Sequence, residues 1–135
     1  MTTNDWYGEY FNHRYLSGSP TLVRNDAQIN FTWGYGSPAA NINSDMFSVR
    51  WTRNLDFSPG RYRFTVRSDD GARLWVNHQL IIDTWYDHAT QTFSADIDLP
   101  GGSIPMKMES YENFGLAEVH LTWMPTSAPS PPATG

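Results

Sequence analysis

The 135-residue chain contains no cysteine, which removes a disulfide framework and any thiolate metal site from consideration. Its fold therefore rests on packing, with an oxygen-ligated ion as the remaining means of reinforcement. No apolar run approaches the roughly 20 residues that cross a bilayer, so membrane insertion is not expected. Basic residues are few. With 9 Lys and Arg against 14 Asp and Glu, the formal net charge is -5, which disfavours nonspecific binding to nucleic acid or to an anionic membrane. No segment keeps a helical period, no glycine-rich loop suits a phosphate, and no nucleophile stands beside a base. The opening Met1-Thr2-Thr3-Asn4 carries no signal-peptide pattern.

What the chain does have is alternation. Tyr62, Phe64 and Val66 occupy one phase of the segment from Arg61 to Arg67, with arginines and Thr65 on the other, which predicts a half-buried strand. The same pattern marks 6–11, 29–33, 47–53, 72–76, 79–83, 91–98, 104–111 and 117–123. Turn signals separate them: Ser58-Pro59-Gly60, Asn77-His78 and Pro100-Gly101-Gly102-Ser103. Short strands at this spacing predict an all-β fold, an antiparallel β-sandwich with long loops at one end. Trp6, Trp51, Trp75 and Trp123 fall to the core on this reading, and residues 26–45 read chiefly as a long loop. Composition places one domain over 1–125, followed by a Pro/Ser-rich linker over 126–135.

The most informative stretch is Arg67-Ser68-Asp69-Asp70-Gly71-Ala72-Arg73, where two adjacent carboxylates fall on a tight connection between strands. Gly71 is expected to supply backbone angles that other residues avoid. Taken alone, the pair is either a cation site or an ordinary solvated acidic turn. A glycosidase pair is disfavoured, since its carboxylates stand about 5–9.5 Å apart on separate elements. Asp83, ahead of Thr84-Trp85-Tyr86-Asp87-His88, reads as a strand cap rather than a second metal cluster. His13, His78, His88 and His120 lack zinc-site spacing and read as surface or packing residues.

Several segments together resemble the protective-antigen fourteen-kilodalton domain family, a β-sandwich found in toxins, adhesins and beside catalytic domains. They are Trp6-Tyr7-Gly8-Glu9-Tyr10-Phe11, Phe47-Ser48-Val49-Arg50-Trp51, Phe64 through Val76, Leu80 through Trp85, and Met108-Glu109-Ser110-Tyr111-Glu112-Asn113. In sugar-binding members the aspartate pair is joined by a cis peptide and chelates calcium, so the resemblance implies that role for Asp69 and Asp70. It also implies further ligands from the loop Tyr111 to Leu116, where Glu112, Asn113 and Phe114 are the candidates, with Glu112 and Asn113 both open as the side-chain ligand. Calcium takes about 6–8 oxygen ligands, so two aspartates leave positions that vicinal sugar hydroxyls can fill. Asp69, Asp70 and Asn113 would then contact sugar, with Phe114, Tyr35, Trp85 or Tyr86 stacking on its ring. The expectation is a noncatalytic Ca2+-dependent glycan-binding module of a secreted or cell-surface protein, joined by its linker to other domains. The alternative is a structural or protein-interaction spacer in which calcium only stiffens a loop.

Overall fold

A computed structural model describes residues 5–126. Ten strands run in order β1 Trp6–Phe11, β2 Leu22–Asp26, β3 Asn30–Gly34, β4 Phe47–Phe57, β5 Gly60–Asp69, β6 Ala72–Val76, β7 Gln79–Asp83, β8 Gln91–Leu99, β9 Gly102–Glu112 and β10 Ala117–Pro125. They form two antiparallel sheets, one of six strands in the order β2-β1-β4-β9-β6-β7 and one of four in the order β3-β10-β5-β8. The expected sandwich is the observed one.

The alternating residues do what their period dictates. Val49, Trp51, Leu74 and Met108 of the larger sheet meet Phe64, Val66 and Val119 of the smaller one, all buried to within about 1% of their surface. Removing a side chain as large as Trp51 from such a core costs about 3–5 kcal/mol. On the wet face of the smaller sheet the opposite phase pairs across strands: Arg61 with Asp98, Arg63 with Asp96, Thr65 with Ser94 and Arg67 with Glu118. Asn77 and His78 both take positive φ, 52° and 67°, the two-residue turn that joins β6 to β7. Thr126 donates its N–H to the Arg61 carbonyl at the end of β10, and the expected linker otherwise lies outside the described residues.

Three expectations need correction. Trp75 is not in the core: Leu74 and Val76 take the buried phase of β6, and Trp75 shares the outer face with Arg73, beneath the Lys107 ammonium 4.3 Å from its ring. The alternation at 29–33 is β3, but β2 escaped the pattern altogether because an edge strand of Leu-Val-Arg-Asn-Asp buries little. Gly71 is required for space rather than for φ. A Cβ there would collide with the Tyr111 ring and stand 3.0 Å from the Thr84 carbonyl oxygen.

That close approach positions the site. β5 belongs to the smaller sheet and β6 to the larger, so the Asp69-Asp70-Gly71 connection crosses between sheets at the end where β9 finishes and β10 begins.

Candidate functional site

Asp69 closes β5, and its peptide bond to Asp70 is cis. The connection is stitched to β9 by backbone: Asp70 N–H donates to the Tyr111 carbonyl at 3.2 Å, and Tyr111 N–H donates to the Gly71 carbonyl at 3.1 Å. Hydroxyls complete the stitching, with Ser110 donating to the Gly71 carbonyl and Ser68 to the Asp70 carbonyl. Glu112 arrives from the last position of β9, held in register by Phe47 of β4. Asp69, Asp70 and Glu112 each thereby offer a carboxylate oxygen within 4.8 Å of the others.

Their surroundings differ in a way that matters. Asp70 is served on both oxygens, accepting from His88 N–H at 3.2 Å and Asn113 N–H at 2.8 Å. Glu112 is 1% exposed, and among the described residues neither of its carboxylate oxygens has a hydrogen-bond donor. Burial, with the charges of Asp70 and Asp69 beside it, pushes its pKa up to about 10. Burial and the Asp70 charge likewise push Asp69 up to about 6. Three crowded carboxylates, one of them buried without a donor, are costly unless protons or a cation neutralise them. The donor set is all oxygen and anionic, which fits a hard cation such as Ca2+.

Above the carboxylates lies an open cavity of about 430 Å³ lined by Asp69, Asp70, Asp87, His88, Asn113 and Phe114, with Glu112 buried beneath. Asp87 also belongs to this site. It accepts from the Tyr111 hydroxyl at 2.7 Å and from Asn113 Nδ2 at 2.8 Å, and these hydrogen bonds hold its carboxyl below the usual range. Asp87 thereby fixes the Asn113 side chain beside the carboxylate cluster. The signal was present in Asp87-His88, but only the fold shows that this loop reaches Asp70. Asp83 does cap its strand, accepting from Trp85 N–H.

The proposed stackers separate. Phe114 is 69% exposed at the rim of the cavity. Tyr35 and Tyr86 are exposed and line no part of it. Trp85 packs edge-on against Tyr111, with the Arg73 guanidinium 3.8 Å from its ring, and faces a separate pocket. A slightly larger cavity of 460 Å³ beside Trp75 and Lys107 has no acidic residue on its walls, so the carboxylate cluster is the candidate site.

The PA14 domain family matches residues 6–126. The chain belongs to the PA14 family. Among curated proteins it is 38% identical over 118 residues to an anti-sigma-I factor, RsgI3, of Acetivibrio thermocellus, a match that takes 86% of this chain and 18% of that protein. A solved anti-sigma factor domain-containing protein from Clostridium clariflavum is 35% identical, with a TM-score of 0.83 over 90% of this chain and 42% of its own. A PA14 sugar-binding domain from an RTX adhesin shares the fold at 21% identity, TM-score 0.71, over 92% of this chain and 91% of that one. This chain thus spans less than half the length of its anti-sigma relatives.

Proposed function

We propose that this PA14 domain is a noncatalytic, calcium-dependent carbohydrate-binding module. The observation that carries the reading is Glu112: a fully buried carboxylate with no donor on either oxygen, closing a three-carboxylate cluster at the floor of an open cavity. Asp69, Asp70 and Glu112 would hold the ion. Bound calcium supplies open coordination positions that two neighbouring sugar hydroxyls fill in place of water. Asn113, pinned by Asp87, stands ready to hydrogen-bond a sugar hydroxyl, and Phe114 offers an apolar surface to the ring. Nothing in this arrangement resembles a hydrolytic pair, because the carboxylates crowd one wall instead of flanking a substrate.

The sugar-binding RTX adhesin domain of the same fold supports this assignment. Relatives at 35–38% identity are anti-sigma factors, which favours a parent protein in which sugar capture at the cell surface serves regulation as much as adhesion. In either parent the segment from 126 onward would tether the module to other domains, and several such modules would raise weak single-site affinity by effective concentration. A glycan array read with calcium and again with chelator tests the assignment. Binding that chelator and Asp69→Ala both abolish is the expected result; chelator-resistant binding, or none, contradicts it. Calcium uptake with no sugar dependence would favour the spacer.

A further inference from the structure

A second, smaller cavity of about 220 Å³ adjoins the carboxylate site and is lined by Arg14, Tyr15, Trp85 and Tyr111. Tyr111 joins the two. Its ring forms a wall of the small pocket, while its hydroxyl donates to Asp87, which in turn holds Asn113 in the carboxylate cavity. One hydrogen-bonded wall therefore separates two concave sites at the same end of the sandwich.

The small pocket is built, not incidental. Trp85 is wedged between the Tyr111 ring, 4.7 Å away, and the Arg73 guanidinium, itself fixed by Glu109. Tyr15 is 67% exposed and yet held: its N–H donates to His13 Nδ1, its ring stacks on His13 at 6.0 Å, and Arg14 lies over it at 5.6 Å. Ser48 anchors the loop by donating to the His13 carbonyl. The next residue, Leu16, is buried with φ at 57°, a left-handed conformation that a leucine adopts only when its surroundings impose it. An exposed aromatic on a pinned, strained loop points to a ligand. Among the described residues Arg14 forms no ion pair; its guanidinium lies on Tyr15 at the pocket wall, where it can also donate to a ligand.

We propose that Arg14, Tyr15, Trp85 and Tyr111 form a second saccharide subsite, so that the domain recognises an oligosaccharide of at least two contiguous rings. The inference rests on the carbohydrate reading of the carboxylate site. Tyr15 and Trp85 offer apolar surface to the C–H face of a sugar, buried Tyr111 backs them, and Arg14 donates to the sugar's hydroxyl oxygens. The ring bound over the carboxylates would set the ion dependence, and its neighbour on Tyr15 and Trp85 would set the preference for chain length.

The test is a glycan array carrying each repeat unit from one to six sugars, followed by calorimetry of the best ligand and its monosaccharide, both with calcium. Wild type should bind the oligosaccharide at least tenfold more tightly than the monosaccharide. Tyr15→Ala and Arg14→Ala should erase that gap while leaving monosaccharide affinity within twofold, and Tyr15→Phe, which keeps the ring, should restore it. Equal affinity for all lengths in wild type, or equal weakening of both ligands in Tyr15→Ala, overturns the second subsite alone. Absence of calcium-dependent binding to any glycan overturns the carbohydrate reading and this subsite with it.

Discussion

Two buried carboxylates at different places in the sandwich have opposite surroundings. Asp26, on edge strand β2, accepts hydrogen bonds from the Tyr10 hydroxyl, from Trp51 Nε1 at 2.9 Å and from Arg24 Nε at 2.7 Å. Glu112, at the end of β9, accepts none from the described residues. Asp26 is a finished structural joint, tying an edge strand to the core through partners that belong to the chain. Glu112 is an unfinished one. A buried carboxyl without a donor is neutral or is completed from outside the chain, and on the proposed function the completing group is a cation shared with Asp69 and Asp70.

Removing each carboxylate in turn should give opposite results. Asp26→Ala leaves a buried phenol, an indole N–H and a guanidinium without their acceptor, and chemical denaturation should show a loss of about 3–5 kcal/mol, with or without calcium. Glu112→Gln should act in the opposite direction in metal-free protein, gaining about 2 kcal/mol at neutral pH because it removes a desolvated acid. The same substitution should abolish stabilisation by calcium. Were both variants destabilised alike in chelator, the two sites would be the same kind of joint.

A smaller effect sharpens the packing that builds the site. Gly71→Ala places a methyl against the Tyr111 ring and the Thr84 carbonyl, and thermal melts should report a loss of about 1–3 kcal/mol together with weaker calcium binding.

Proton linkage gives a test without mutation. Unfolded, Glu112 ionises near 4.5; folded, burial and the charges of Asp70 and Asp69 keep it protonated to about 10. The folded state therefore holds more protons between those values, so this contribution is whole below 4.5 and is lost as pH rises toward 10. Asp69 adds the same sign between 3.8 and about 6. Metal-free protein should melt at lower temperature at pH 8 than at pH 5, and saturating calcium should flatten that dependence. At the bottom of the scale, Arg61→Ala on the wet face of the smaller sheet breaks only an exposed pair with Asp98 and should leave the melting curve unchanged.

Much of this was legible in the sequence because a sandwich writes its period directly. The aromatic phases of 47–53, 61–67 and 117–123 fixed three central strands, and Asn77-His78 marked its hairpin. Edge strand β2 was not legible, since Val23 and Asn25 face solvent and little burial constrains them. Trp75 misled because an indole fits an outer face when cations cover it, as Arg73 and Lys107 do here. Within the site, the neighbouring Asp69 and Asp70 announced themselves, and the resemblance pointed to the loop after Tyr111 but left Glu112 and Asn113 both open. Asp87 and the pocket of Arg14 and Tyr15 did not, because they meet Tyr111 and Asn113 only through long-range contacts between loops.

Calorimetric titration of calcium into metal-free wild type and Glu112→Gln isolates the part that Glu112 plays in holding an ion. Wild type should bind one ion saturably, with proton release near pH 6, and the variant should lose at least tenfold in affinity. Absence of binding by wild type, or equal binding by both proteins, would contradict that role.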